Sequence, residues 1–183
     1  MSAPAAADKV VILDRDGTIV VDRGYLCDPS KLEFEPKAAE GLKWLYSHGY
    51  RLVVITNQSG IGRGFFTLEQ LDAMDVRLNA MVAEAGARLE GIYSCPHTPE
   101  AGCSCRKPAL GLLACAISDL RFDPASAVMI GDKESDVEFG RRAGARTILI
   151  RPGAPAATAG VRPDVIARDL MEAARAVTSL GDP

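Results

Sequence analysis

Lys9-Val10-Val11-Ile12-Leu13-Asp14-Arg15-Asp16-Gly17-Thr18 decides how the rest of the chain is read. Its first half is an unbroken run of aliphatic and β-branched residues. A strand with one solvated face alternates apolar and polar side chains, whereas a strand covered on both faces stays apolar throughout. The run therefore predicts a central strand of a parallel sheet that ends in two carboxylates and a glycine. Similar short runs recur at Leu52–Thr56, Gly91–Ser94, Ala127–Gly131, Thr147–Ile150 and Asp164–Ala167.

Helix signals lie between these runs. Pro36 stands where a first helical residue would, and Gly49 where that helix would stop. Thr67-Leu68-Glu69-Gln70 and Ser135-Asp136-Val137-Glu138 both fit the capping box. Leu110, Leu113, Ile117 and Leu120 repeat at helical spacing after Pro108, and Asp169-Leu170-Met171-Glu172 opens a last helix. Strands that alternate with helices imply βαβ units. The expected fold class is α/β, a three-layer α/β/α Rossmann-like parallel sheet. Gly153–Pro163, rich in Ala, Gly and Pro, reads as a surface loop, and no repeat or long linker interrupts the pattern.

The 183 residues fit one domain, 1–183, long enough to bury a core without disulfide staples. Lys plus Arg number 21 and Asp plus Glu 24, a net charge of −3, which argues against a nucleic-acid binder. No apolar run approaches the roughly 18 residues of a membrane span. Met1–Lys9 lacks the basic and leucine-rich parts of a secretory signal and reads as a short frayed end. A cytoplasmic protein is expected. Polar helices point to a monomer.

Five cysteines without an export signal argue against a disulfide framework. Three of them crowd together in Cys95-x-His97-x₅-Cys103-x-Cys105. Three thiolates and an imidazole suit tetrahedral Zn²⁺, and four protein ligands leave no open position, so the expected zinc is structural. The loop ends beside Arg106-Lys107, whose position zinc would fix. Cys27 reads as a loop thiol and Cys115 as a helix packing residue.

In a parallel sheet, ligands bind beyond the carboxyl ends of the strands. Asp14 and Asp16 are there either as a polar strand exit or as a pair that attacks phosphorus and moves a proton. Thr56 and Asn57 form an ordinary polar turn or a cradle for phosphoryl oxygens. Lys107 precedes a helix, where the dipole disfavours a cation unless an anion lies between them. Asp132 can join Asp14 in holding a hard cation through oxygen. Asp136 can serve the dipole of its own helix, and its role stays open.

Asp14-Arg15-Asp16-Gly17-Thr18, Thr56-Asn57, Lys107 and Gly131-Asp132-Lys133-Glu134-Ser135-Asp136, in this order, resemble the motifs of the haloacid dehalogenase superfamily of aspartate phosphatases. The resemblance covers residues 9 to 150. It implies Mg²⁺-dependent phosphoryl transfer with Asp14 as nucleophile and Asp16 as general acid/base. Thr56 and Lys107 would neutralise the phosphoryl oxygens. Mg²⁺ would be held by Asp14, the backbone carbonyl of Asp16, and Asp132.

About 36 residues separate Asp16 from the second strand, and half of them read as helix, so no large cap domain fits there. Selectivity then falls to short loops that carry Arg23, Arg63, Arg106 and Lys133, cations suited to an anionic substrate. Val21-Asp22-Arg23-Gly24-Tyr25, Thr56–Gly64, Cys95-Pro96-His97 and Cys105–Pro108 further resemble the heptose 1,7-bisphosphate 7-phosphatase family. That resemblance implies substrate contacts from Asp22, Arg23, Gly24, Tyr25, Asn57, Gln58, Ser59, Arg63, Arg106 and Lys133, and a place in making activated heptose for lipopolysaccharide or other surface glycans. Only five residues separate His97 from Cys103, as in the related zinc-containing histidinol-phosphate phosphatases, so histidinol phosphate is the alternative substrate. A zinc-stabilised binding module with a vestigial site is the alternative from another class.

Overall fold

A computed structural model describes residues 9–153, 160 and 162–179. The expected frayed start and most of the Gly153–Pro163 loop lie outside the described residues. Six strands, β1 (Val10–Leu13), β2 (Arg51–Asn57), β3 (Leu89–Cys95), β4 (Val128–Gly131), β5 (Arg146–Ile150) and β6 (Val165–Ala167), form one sheet in the order β3-β2-β1-β4-β5-β6. Every neighbouring pair is parallel. The five helices are α1 (Ala38–Ser47), α2 (Leu68–Glu84), α3 (Gly111–Leu120), α4 (Glu134–Arg142) and α5 (Leu170–Ser179).

The apolar runs of β1, β2, β4 and β5 become strands because both of their faces are buried, whereas the edge strands β3 and β6 are only partly covered. Val11 and Leu13 of β1 pack with Leu42 and Leu45 of α1, Met74 and Leu78 of α2, and Leu170 of α5. Val10 and Ile12, one residue out of phase, pack on the other face with Leu112 and Leu113 of α3 and Phe139 of α4. The α/β/α layering thus follows from a strand period of two applied to a run with no polar member.

Three local expectations are corrected. α1 opens at Ala38 rather than Pro36, because Phe34 bridges Val20 and Glu35 N–H donates to the Ile19 carbonyl at 3.0 Å, holding the chain extended that far. Pro36 and Lys37 then make the turn, with Lys37 at φ 67°. Thr67 and Gln70 do form a capping box at the start of α2. No capping box forms at Ser135–Glu138, because α4 already opens at Glu134; Asp136 Oδ2 accepts from the Lys133 N–H at 3.1 Å, and the Lys133 ammonium has no lone pair to accept in return. Cys115 is exposed on α3 and is no packing residue.

The chain runs β1-β2-β3 to one side and returns to place β4 on the other flank of β1. The carboxyl ends of β1, β2 and β4 therefore share one crevice at the switch in strand order. None of the described helices is long and apolar enough to cross a membrane.

Leu78 and Val76 on α2 test the layering. Leu78→Ala in the fully buried layer should lower unfolding free energy by about 2–5 kcal/mol in urea titration. Val76→Ala, at a side chain 71% exposed, should change it by less than about 0.5 kcal/mol.

Candidate active site

β1 delivers Asp14 and Asp16 to the crevice. Asp14 N–H donates to the Ile130 carbonyl at 3.0 Å, so the ladder with β4 runs into the site itself. The chain then folds back tightly, with Ile19 and Val20 both donating to the Arg15 carbonyl. Gly17 is required twice over. Its φ is 81°, and a Cβ there would stand 2.5 Å from Asp132 Oδ2.

Lys107 is 3% exposed, yet it is a cation. Its Nζ lies 2.9 Å from Asp14 Oδ1 and 2.7 Å from Asp136 Oδ1. Burial would lower the ammonium's proton affinity, but Asp136 and Asp14 outweigh it and hold Lys107 above its ordinary value. Burial would likewise raise the Asp14 carboxyl, but Lys107, with help from Lys133, holds it below the usual range. Asp136 moves the other way, because burial outweighs the attraction of Lys107. Lys107 is therefore no solvated surface cation, and Asp136 is the buried counterion that its position in a helix's first turn left undetermined.

The backbone of Lys107 is also fixed. Its N–H donates to Asn57 Oδ1 at 3.0 Å, and Asn57 Nδ2 donates to its carbonyl at 3.2 Å. The Asn57 amide, expected to face substrate, is committed to this clamp although the residue borders the cleft. Gln58 likewise turns inward, with Nε2 donating to Asp16 Oδ2 at 2.7 Å and to Thr56 Oγ1 at 3.0 Å. Arg15 Nε donates to the same Asp16 oxygen at 3.1 Å. Arg15 is buried, and its other side approaches Asp75 of α2 at 3.6 Å. Burial, against the pull of Arg15, pushes the Asp75 carboxyl up to about 6. Sequence reading missed Arg15 and Asp75 because nothing local links positions so far apart.

These groups floor a cleft of about 280 Å³. Asp14, Asp16, Thr56 and Lys107 line it, as do Asn57, Gln58 and Ser59. Asp22, Gly24, Tyr25, Arg106 and Lys133 line it as well. Ser135, not foreseen from the sequence, lines it too. Arg23 and Arg63 do not. Arg23 pairs with Glu33 at 2.6 Å, and Arg63 lies 3.8 Å from Glu100, so local carboxylates take up both charges. Lys133 Nζ reaches Asp22 Oδ2 at 3.2 Å, and Arg106 Nη1 donates to the His97 carbonyl at 3.3 Å.

Among the described residues, two groups of side chains have the chemistry to hold metal. Ligand atoms of Asp14, Asp132 and Asp136 lie within 4.8 Å of one another. Asp136 is taken by Lys107 and the Lys133 N–H, whereas Asp132 Oδ1 is buried without a hydrogen-bond partner. Burial, with the charges of Asp14 and Asp136 acting against Lys133, pushes the Asp132 carboxyl up to about 7. Three carboxylates and one ammonium sum to −2 when all are ionised, which a divalent cation balances. These hard oxygen donors fit Mg²⁺.

Cys95, His97, Cys103 and Cys105 form the second group, and all three thiols are free. Neighbouring ligand atoms are 3.1–3.6 Å apart, close to the edge of about 3.7 Å for a tetrahedron with Zn–S bonds of about 2.3 Å. Burial, reinforced by the adjoining thiols of Cys105 and Cys103, pushes Cys95 up to about 12. A bound divalent cation would remove that penalty and release the proton. The loop is tied to the segment after β2 that lines the cleft, because the Cys95 carbonyl accepts from Gln58 N–H at 2.7 Å and the Pro96 carbonyl from Gly62 N–H at 2.9 Å.

Known proteins are similar to this chain in sequence and in fold. A family model described as HAD-hydrolase-like matches residues 104–173. The D-glycero-beta-D-manno-heptose-1,7-bisphosphate 7-phosphatase of Pasteurella multocida is 40% identical over 80% of this chain and 84% of its own. A probable D-glycero-D-manno-heptose-1,7-bisphosphate 7-phosphatase of Thermoplasma volcanium is 42% identical over 73% of this chain and 92% of its own. Among solved structures, the D,D-heptose 1,7-bisphosphate phosphatase of B. bronchiseptica, complexed with magnesium and phosphate, superposes with a TM-score of 0.81 at 27% identity, covering 94% of this chain and 99% of that one. A heptose enzyme from Burkholderia thailandensis gives 0.70 at 30% identity, over 93% and 99%. Sequence and fold agree, and this chain belongs to the heptose 1,7-bisphosphate 7-phosphatase family of haloacid dehalogenase-like hydrolases.

Proposed function

We propose that this chain is a Mg²⁺-dependent phosphoric monoester hydrolase that removes the 7-phosphate of D-glycero-D-manno-heptose 1,7-bisphosphate through an aspartyl-phosphate on Asp14. The observation that carries this reading is the buried Lys107–Asp14 pair in a cleft that further cations line. An ionised carboxylate beside a buried ammonium can attack an anionic phosphate, because the positive charge offsets their repulsion.

The Asp14 carboxylate attacks phosphorus, and the bond from phosphorus to the sugar oxygen breaks. Asp16 gives its proton to that oxygen. Gln58 and Arg15 both donate to Asp16 Oδ2, which leaves Oδ1 as the oxygen that carries the proton. Asp16, now a carboxylate, takes a proton from water as the water oxygen attacks phosphorus. Inorganic phosphate leaves and Asp14 is restored. The Thr56 hydroxyl accepts from Gln58, so its own proton is directed to a phosphoryl oxygen. Asp14, Asp132 and the Asp16 carbonyl would hold Mg²⁺, which supplies charge neutralisation and polarises the phosphoryl group. Zn²⁺ at Cys95, His97, Cys103 and Cys105 is structural.

The second phosphate of the substrate accounts for Arg106 and Lys133, cations that a single reacting phosphate does not require. Arg106 is aimed by the His97 carbonyl, so the zinc loop sets the reach of a substrate-binding side chain. Histidinol phosphate would bring an amine and an imidazole to these cations, a poor charge match.

Four measurements test this reading. Asp14→Asn should abolish Mg²⁺-dependent phosphate release without unfolding the protein, and an active variant would refute the nucleophile. Asn57→Ala should lower kcat by about 100-fold, the scale of a small misplacement of a catalytic group, with KM moving less. Cys103→Ala should lose both zinc, measured by elemental analysis, and thermal stability. A zinc-replete, equally stable variant would remove the ligand assignment. Rates on both anomers of heptose 1,7-bisphosphate and on histidinol phosphate should favour the heptose, and the reverse order would overturn the substrate.

A further inference from the structure

Two aromatic side chains stand half in solvent at the cleft mouth. Tyr25 is 47% exposed and Phe65 57%, and their ring centroids are 4.4 Å apart with the planes inclined at 37°. Tyr25 lines the cleft, but Phe65 does not. Their loops leave different strands, β1 and β2, so the ring contact joins the two loops.

The two loops differ in how they are held. Ser59–Phe66 is bonded to itself and to its base. Arg63, Gly64 and Phe65 donate to the carbonyls of Ser59, Ile61 and Gly60 at 3.0, 2.9 and 2.8 Å. Gly62 donates to Pro96, and the buried Phe66 ring packs so close to Gly60 that a Cβ there would lie 2.1 Å from it. Phe65 is therefore presented outward from a stiff platform. The Asp22–Tyr25 segment is tied by exposed side chains, through Lys133 to Asp22 and Arg23 to Glu33, with Gly24 N–H turned back onto Asp22. Surface ion pairs of this kind contribute little. For Tyr25 itself, Phe65 is the ring it meets among the described residues.

We propose that Phe65 is a positioning residue for substrate recognition, fixing the Tyr25 ring, and with it the Asp22–Tyr25 segment, over the part of the cleft that receives the sugar and its distal phosphate. The inference rests on the sugar-bisphosphate reading above. A small ester that reaches only Asp14 and Lys107 has no use for this contact, which therefore separates extended substrates from short ones.

The experiment compares wild type, Phe65→Ala, Phe65→Tyr, Tyr25→Ala and the double alanine variant on heptose 1,7-bisphosphate and on para-nitrophenyl phosphate. Phe65→Ala should raise KM for the bisphosphate about 3- to 10-fold, the size of one aromatic pair. Its kcat, its activity on the aryl ester and its melting temperature should stay unchanged. Phe65→Tyr, which keeps the ring, should restore KM. Adding Phe65→Ala to Tyr25→Ala should change little, because the two residues act through one contact. An unchanged KM, an equal loss on both substrates or fully additive effects would overturn the inference while leaving the enzyme reading intact. A wild type inert toward the bisphosphate but active on the aryl ester would overturn the substrate reading and this inference with it.

Discussion

The ammonium of Lys107 is the charge around which the catalytic end of the sheet is arranged. A buried ion is tolerated only when partners replace the water it has lost, and removing one partner costs several kcal/mol. Here the partners come from three elements. Asp14 follows β1, Asp136 sits in the first turn of α4, and Asn57 of β2 pins the lysine backbone. The glycines serve the same end. A Cβ at Gly131 would fall 2.3 Å from Asp136 Oδ2, and one at Gly17 would strike Asp132, so bare backbone is what lets the carboxylates converge.

The loop from Cys95 to Cys105, with four side chains that could hold a metal, extends this logic to neighbouring groups of the cleft. It begins where β3 ends at Cys95 and finishes beside Arg106 and Lys107. Its carbonyls receive Gln58, Gly62 and Arg106. One compact ligand cluster therefore bears on the residue that orients Asp16, on the loop that presents Phe65, and on the cation that faces the substrate. Short segments of this kind can shape a cleft without a separate covering domain, provided something other than a hydrophobic core holds them. Four coordinating side chains within a few ångströms are well suited to that task.

Most of this was legible in the sequence because its signals are local. Short, mostly apolar runs marked the six strands, position after a strand picked out Asp14, Thr56 and Asp132, and a cation before a helix picked out Lys107. What escaped depends on contacts between distant segments. Asn57 reads as a substrate contact until Lys107, 50 residues on, is seen to occupy its amide. Arg23 reads as a free cation until Glu33 folds against it. Asp136 satisfies a helix start equally well whether or not an ammonium lies beside it. The start of α1 was misplaced for a similar reason, since a bridge from Phe34 to Val20 outweighs the preference of Pro36 for a first helical position.

The wide spacing of the charge cluster also orders events in time. Lys107 follows Asp14 by 93 residues, and Asp136 comes later still. During synthesis, which proceeds from the N-terminus, β1 and its carboxylates are present well before the groups that neutralise them. An unpaired carboxylate keeps its water, so the central strand holds one end wet while its apolar half can already be covered. Drying of that end waits for β4 and α4. The reaction centre thus closes only once β4 and α4 have joined β1, and phosphatase activity in a nascent or refolding chain requires both flanks of β1 to be in place.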